Sequence, residues 1–302
     1  MPLLTVFSAP KPFTNPHIAL IQRNAIQAWA HLPNVEVFLV GREDGLLETA
    51  NELGVPVLAE VARNTWGTPL VSSIFSLARE ASHSPLLAYV NGDMLFTSDL
   101  VAGAQVALNT TNPFLLVGQR WDLDLTTALD FSGDWETNLR ELTRSRGQLH
   151  PPQGSDYFVF PREQFNYMPD FAIGRAGWDN WMIYFAREQG WPVIDCTPSI
   201  LAVHQNHDYS HLPGGQPHYN LEESSQNAAL AGGTANLYNM LDTNTVLVDG
   251  RLRRPPLNLA RMVRRAELRL MPPEDQRRGL RWWSVRRLRH LRRRLIRSPQ
   301  DI

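Results

Sequence analysis

Cysteine, lysine and long apolar runs are what this sequence has least of. Its one cysteine, Cys196, leaves no disulfide within the chain and no cysteine-built zinc site, and points to a reducing compartment. Its one lysine is Lys11, against 28 arginines, a ratio that the codon usage of a GC-rich genome explains without any function. No apolar stretch approaches the ~20 residues that a membrane-spanning helix needs. The start, Met1-Pro2-Leu3-Leu4-Thr5-Val6-Phe7, has no basic residue and meets Pro10 too early for a secretory leader. A cytoplasmic protein is expected, at most peripheral on the inner face of a membrane.

Net charge is scarce as well, formally −1 over 302 residues. That near-neutrality hides a segregation. Residues 1–250 carry 12 basic and 26 acidic residues, a net of −14, whereas residues 251–302 carry 17 arginines and 4 acids, a net of +13. The chain is an acidic body with a basic tail. With 43% apolar and 20% charged residues the body has ordinary folded composition.

Through the body, short apolar runs alternate with helical periodicity. Strands are expected at Leu3–Ser8, Val35–Val40, Val55–Leu58, Leu86–Asn91, Phe114–Val117, Tyr157–Phe160, Val193–Asp195 and Ile200–Val203. Helices are expected at His17–His31, at Asp44–Leu53 with Gly54 as its cap, and at Pro69–Ala81. Two more are expected from Ser98 or Asp99 to about Leu108 and at Trp178–Arg187. From Leu212 to about Asn244 the composition is that of a long loop with one helix, and Arg253-Arg254-Pro255-Pro256 opens the tail. Such alternation implies an open α/β sheet covered by helices, with ligands at the carboxyl ends of its strands. Three regions follow: an α/β domain over 1–220, a loop or linker over 221–252 and an arginine-rich amphipathic helical tail over 253–302.

Five stretches carry chemistry-bearing residues. Asn91-Gly92-Asp93 follows an apolar strand, and a carboxylate there is placed to hold Mg²⁺ or Mn²⁺ against phosphates; it is also good turn composition. Gly174-Arg175-Ala176-Gly177-Trp178-Asp179 brings a carboxylate to a helix start, either as a general base for a hydroxyl or as a residue favoured by the helix dipole. His204-Gln205-Asn206-His207-Asp208-Tyr209-Ser210-His211 groups three imidazoles and a carboxylate after a strand, where they suit a transition metal or a solvated loop. Gly154-Ser155-Asp156-Tyr157 sets a carboxylate at a strand mouth, and Asn64-Thr65-Trp66-Gly67-Thr68-Pro69 reads as a helix cap that also suits a phosphate.

Taken together, Ser8-Ala9-Pro10-Lys11-Pro12-Phe13, Asn91-Gly92-Asp93, Gly154-Ser155-Asp156-Tyr157-Phe158-Val159-Phe160, Gly174–Trp181 and His204–Tyr209 resemble the GT-A class of nucleotide-sugar glycosyltransferases over about residues 3–212. The resemblance implies a Rossmann-like mixed sheet flanked by helices, a nucleotide-sugar donor, and a glycan or glycolipid acceptor. It implies Asp179 as base and Asp93, Asn91 and His204 as ligands of Mn²⁺ or Mg²⁺, with Asn91 standing where the class has a first Asp. Ser8, Ala9, Pro10, Lys11, Asn91 and Asp93 would meet the donor; Asp156, Tyr157, Trp178, His207 and Asp208 would meet the sugar or acceptor. A sugar-1-phosphate nucleotidyltransferase is a second reading, but Ala9-Pro10-Lys11-Pro12 lacks the glycines of a phosphate loop. A binding module without catalysis is a third, motivated by Asn91.

On a helix, Trp282, Val285, Leu288, Leu291 and Leu295 form one face, with Arg289 and Arg292 intruding. Arginine with tryptophan suits a helix lying on anionic lipid, through Trp282, Trp283, Arg286, Arg287, Arg292, Arg293 and Arg294. Docking on the acidic body is the open alternative, and nucleic acid comes last.

Overall fold

The computed structural model describes residues 1–207 and 221–296. The first half runs β1 (Leu4–Ser8), α1 (Pro16–Ala30), β2 (Val35–Val40), α2 (Leu46–Leu53), β3 (Val57–Leu58), α3 (Val71–Ala81), β4 (Leu86–Val90), β5 (Met94–Phe96), α4 (Asp99–Thr110), β6 (Leu115–Val117) and β7 (Trp121–Leu123). Then follow α5 (Trp135–Arg146), β8 (Gln148–Leu149), β9 (Tyr157–Pro161), α6 (Trp178–Glu188), β10 (Val193–Asp195) and β11 (Ala202–Gln205). The chain closes with α7 (Glu222–Leu230), β12 (Thr245–Val248), β13 (Arg251–Arg253), α8 (Leu259–Leu270) and α9 (Gly279–Ile296).

Among the described residues a nine-stranded sheet has the order β13-β12-β10-β6-β9-β4-β1-β2-β3. β3, β2, β1 and β4 are parallel and β9 runs against β4. The fold is the expected mixed α/β sheet flanked by helices. Every residue of β1 and β4 is buried, because both sheet faces are covered. Leu86, Ala88 and Val90 face a cluster with Ala25, Ile26 and Trp29 of α1 and Leu100 of α4. Leu87 and Tyr89 face Ile74 and Phe75 of α3 and Trp181 and Met182 of α6. Each large side chain so buried contributes about 1.5–3 kcal/mol. A smaller sheet, β5-β11-β7-β8, stands beside the first.

Local signals explain most of the boundaries. Asn15 caps α1 by accepting from the amides of His17 and Ile18, with Pro16 at the first position. Gly54, at φ 67°, ends α2 as expected. α3 starts at Val71 rather than Pro69, because Pro69 bridges Arg63 and Leu70 bridges Ala172 in extended pairing. Ser98 precedes α4 without capping it; its hydroxyl donates to Glu136 instead, at 2.7 Å.

The region 221–252 is not a simple linker. It holds α7, and β12 pairs in parallel with β10 and antiparallel with β13, so the main sheet runs across the expected domain limit. The tail is a helical hairpin. α8 is fixed to the body by two buried arginines: Arg261 donates to the carbonyls of Leu241 and Thr243 at 3.1 and 3.0 Å, and Arg264 pairs with Asp242 at 2.9 Å. α9 folds back on α8, with Val285 fully buried. Arg289 and Arg292, which intrude on the apolar stripe, reach the wholly buried Glu267 at 3.0 and 2.8 Å. Arg292 is therefore not a surface residue, as the lipid reading required, and the Trp282 ring packs against the guanidinium groups of Arg277 and Arg289. Trp283, Arg286, Arg287, Arg293 and Arg294 remain exposed. No helix among the described residues is long and apolar enough to cross a membrane.

Candidate active site

The carboxyl ends of β1 and β4 and the start of β9 lie at one edge of the main sheet, since β9 is antiparallel and Tyr157 pairs with Val90. A cleft of about 600 Å³ opens there. Its walls include Ala9, Pro10 and Lys11 after β1, Asn91 and Asp93 after β4, Asp156 before β9, Trp178 and Asp179 at the start of α6, and His204 and His207. The topology thus gathers residues spread over some 200 positions of chain into one hollow.

Asp93, His204 and His207 each present a ligand atom within 4.8 Å of the others. β5 leaves Asp93 directly and pairs with β11, setting Met94 against His204. Gln205, fully buried, anchors the turn by donating to the carbonyls of Asp93 and Ile21 at 3.1 and 2.7 Å. The ammonium of Lys11 lies 2.9 Å from Asp93 Oδ2 and 2.8 Å from His207 Nε2. Its backbone is clamped by the Gln22 amide, which accepts from Lys11 N at 2.6 Å and donates to Lys11 O at 2.9 Å. Burial works to raise the Asp93 carboxyl, but Lys11 and the imidazoles of His207 and His204 outweigh it and hold it well below the usual range.

These residues fit a divalent cation. Asp93 Oδ1 is buried with no hydrogen-bond partner among the described residues, an orphan lone pair of the kind a cation satisfies. The Lys11 ammonium stands against the other oxygen and against His207 Nε2, in the place a metal ion would take. One carboxylate and two imidazoles form a donor set that suits Mn²⁺ more readily than the oxygen-preferring Mg²⁺.

Asn91 does a different job from the one expected of it. Its amide donates to Asp156 Oδ1 at 2.8 Å and its backbone N–H to the Asp156 carbonyl at 2.9 Å, fastening β4 to the mouth of β9. His207, expected near the acceptor, joins the cation cluster instead. Tyr157 and Ser8 are fully buried and do not line the cleft. Tyr157 points into the core and packs edge-on to Phe96 at 5.1 Å, so it cannot meet a sugar. Ser8 is the last residue of β1 and lies behind the wall. Asp208 lies outside the described residues.

Asp179 stands in the first turn of α6, behind Gly177 at φ 112°, a conformation only glycine adopts without strain. A side chain at Gly154 would come within 3.1 Å of Asp179 Oδ2, so glycine there keeps the carboxylate free. Burial raises the Asp179 carboxyl to about 6, with Asp156 adding to the rise and the amides of Asn180 and Gly177 opposing it. A carboxyl poised near neutrality in a cleft is suited to proton transfer. Trp178 beside it packs edge-on to Tyr89 at 5.0 Å and forms the cleft floor.

Three residues of the site escaped the sequence reading. Arg120 bridges Asp156 at 2.7 Å and Asp122 at 2.8 Å, and His150 Nδ1 donates to Asp122 Oδ2 at 2.7 Å. A usable signal was present: Trp121, Leu123 and Leu125 alternate with Asp122 and Asp124, the period of a strand with one polar face. Burial raises the Asp122 carboxyl, but the hydrogen bonds of His150 and His204 and the charge of Arg120 prevail and keep it far below its ordinary value.

Solved structures with a similar fold include glucosyl-3-phosphoglycerate synthase from Mycobacterium tuberculosis, in complex with Mn²⁺, uridine diphosphate and glucosyl-3-phosphoglycerate. It is 15% identical over 85% of this chain and 88% of its own, with a TM-score of 0.46. Mannosyltransferase PcManGT from Pyrobaculum calidifontis, in complex with GDP-Man and Mn²⁺, is 14% identical over 70% of this chain and 59% of its own, with a TM-score of 0.42. TarS from S. aureus is 9% identical over 68% and 59%, with a TM-score of 0.40. No protein-family model and no curated protein matches the chain. The chemistry therefore rests on the residues of the cleft.

Proposed function

We propose that this protein is a metal-dependent glycosyltransferase that moves a sugar from a nucleoside-diphosphate donor to a hydroxyl of a glycan or glycolipid, with inversion. One observation carries the reading: the cation cluster of Asp93, His204 and His207 shares a cleft with Asp179. Mn²⁺ or Mg²⁺ bound by those three residues would supply positive charge for the leaving diphosphate. Asp179 takes the proton of the acceptor hydroxyl. The acceptor oxygen bonds to the anomeric carbon as the bond from that carbon to the diphosphate oxygen breaks, and the diphosphate leaves with the electron pair. Attack from the face opposite the leaving group inverts the centre.

The test is thermal unfolding with UDP-, GDP- and dTDP-sugars, with and without Mn²⁺ or Mg²⁺. One of the donors should raise Tm only when metal is present, more with Mn²⁺ than Mg²⁺, and Asp93→Ala should abolish that rise. Binding without metal dependence in every case defeats the transferase and favours a module without catalysis.

A lipid-borne acceptor suits the tail. Leu280, Trp283, Arg287, Leu291 and Arg294 are all exposed and follow helical spacing along the outer side of α9, opposite the buried Val285. We place that outer side, rather than the expected Trp282 face, against anionic lipid on the cytoplasmic side of a membrane. Each basic residue near such a surface adds about 1 kcal/mol, so R286A/R287A/R294A in the full chain should bind phosphatidylglycerol vesicles roughly 100-fold more weakly. Equal co-sedimentation of variant and wild type, or of anionic and neutral vesicles, overturns this part.

A further inference from the structure

We infer that the Lys11 ammonium is a placeholder in the cation site. It engages Asp93 and His207 while no divalent ion is bound, and an ion enters by displacing it. This role rests on the metal reading of the cleft.

The contacts leave one place for a cation. Lys11 Nζ lies 2.9 Å from Asp93 Oδ2 and 2.8 Å from His207 Nε2, and those two atoms are 3.1 Å apart. An ammonium only donates, so Nε2 meets it with its lone pair. An imidazole nitrogen has a single such pair. Nε2 therefore serves the ammonium or a metal ion, never both at once. Like charge adds to the exclusion, since an ammonium and a dication would share the same two atoms.

Lys11 is built for the exchange. Its backbone is fixed between Pro10 and Pro12, and the buried Gln22 accepts from Lys11 N at 2.6 Å and donates to Lys11 O at 2.9 Å. Its side chain, which lines the cleft, keeps 30% of its surface exposed. The ammonium thus leaves by side-chain rotation alone. The arginines of the cleft are engaged elsewhere: Arg63 with Glu43 at 2.8 Å, Arg120 with Asp156 at 2.7 Å and Arg175 with Glu223 at 2.6 Å. Lys11 is the cation that answers Asp93, whose carboxylate would otherwise stand buried and uncompensated, a costly state. The site is kept assembled in this way, at the expense of metal affinity. An occupant lifted away in about 1–10% of molecules weakens the entering ion by about 10–100-fold.

Two measurements test it on the full chain. Mn²⁺ titration followed by electron paramagnetic resonance should give Lys11→Met an affinity about 10–100-fold above wild type, whereas removal of a residue that merely supports the site would lower it. Equal or weaker binding by the variant overturns the proposal and leaves the metal reading standing. Absence of Mn²⁺ binding in both proteins overturns the two together. Lys11 is the only lysine of the chain, so lysine-selective ¹³C labelling gives one Cε signal that needs no assignment. In the wild type that signal should move toward the position of a solvated lysine on saturation with diamagnetic Zn²⁺, which accepts carboxylate and imidazole ligands. A signal that stays in place overturns the proposal, and this measurement decides if Lys11→Met does not fold.

Discussion

Asp179→Asn is expected to lower kcat by about 10²–10⁴-fold, the usual worth of a positioned general base, while leaving donor-induced stabilisation intact. Asparagine preserves the shape and the contact with the Gly177 amide, which sits 3.3 Å from Oδ1, but takes no proton. A kcat near wild type would remove Asp179 from the reaction. The pH profile supplies a second reading. Since the carboxyl is raised to about 6, the base form predominates only above that value. Wild-type kcat should rise as pH climbs through about 6 and level off beyond it. The variant should lack that limb.

The same raised carboxyl has a cost to the fold. A group whose folded value lies above its unfolded value stabilises below the unfolded value and loses that contribution as pH rises through the folded one. For Asp179 the window runs from 3.8 to about 6. At pH 8 the ionised carboxylate costs roughly 2 kcal/mol, allowing for its access to the water of the cleft. Asp179→Asn should therefore unfold at a higher temperature than wild type at pH 8, and the difference should vanish near pH 4. Activity and stability move in opposite directions at this residue, the pattern of a group kept for chemistry.

What the sequence made legible follows from how local the determinants were. β1, β4 and α1 announce themselves by apolar runs, by Asn15-Pro16 and by period, and the cleft follows because parallel strands end together. Asp93 and Asp179 were readable for the same reason, each being the first carboxylate after a well-marked boundary. The partners of those residues were not. Asn91 belongs to Asp156 and Asp122 to His204 through strand pairing between segments 65 and 82 positions apart. Such pairing fixes contacts that no spacing along the chain encodes. Tyr157 misled because the Gly-x-Asp-Tyr run invites a shared role, whereas its buried strand position turns it into the core away from Asp156. The tail misled in a related way: of its apolar stripe Val285 is buried and Trp282 and Leu288 are half-buried, while Leu291 and Leu295 stay exposed.

The packing of α9 on α8 predicts the largest loss of stability. Glu267 is wholly buried and takes Arg289, Arg292 and Arg264 at 3.0, 2.8 and 3.4 Å. Burial acts to raise its carboxyl, but the hydrogen bond and charge of Arg292, with Arg264 and Arg289, prevail and keep it below the ordinary value. Glu267→Gln leaves the guanidinium groups of Arg289 and Arg292 without a counter-charge, while Arg264 keeps Asp242, a change that typically costs 3–5 kcal/mol. Denaturant unfolding should register a loss of about that size, and hydrogen exchange should place it first in α9. A loss under about 1 kcal/mol would mean that the cluster is surface-like in energy. The sign with pH follows from the lowered carboxyl: the contribution is complete above about 4.5 and is lost as pH falls through the folded value. A control separates unpaired charge from lost packing. E267L/R289L/R292M removes the charges that meet at Glu267 from α9 while keeping volume, and should recover most of the loss, since well-packed apolar groups replace buried ion clusters at little net cost. Failure of that control to recover stability would assign the effect of Glu267 to shape rather than to charge.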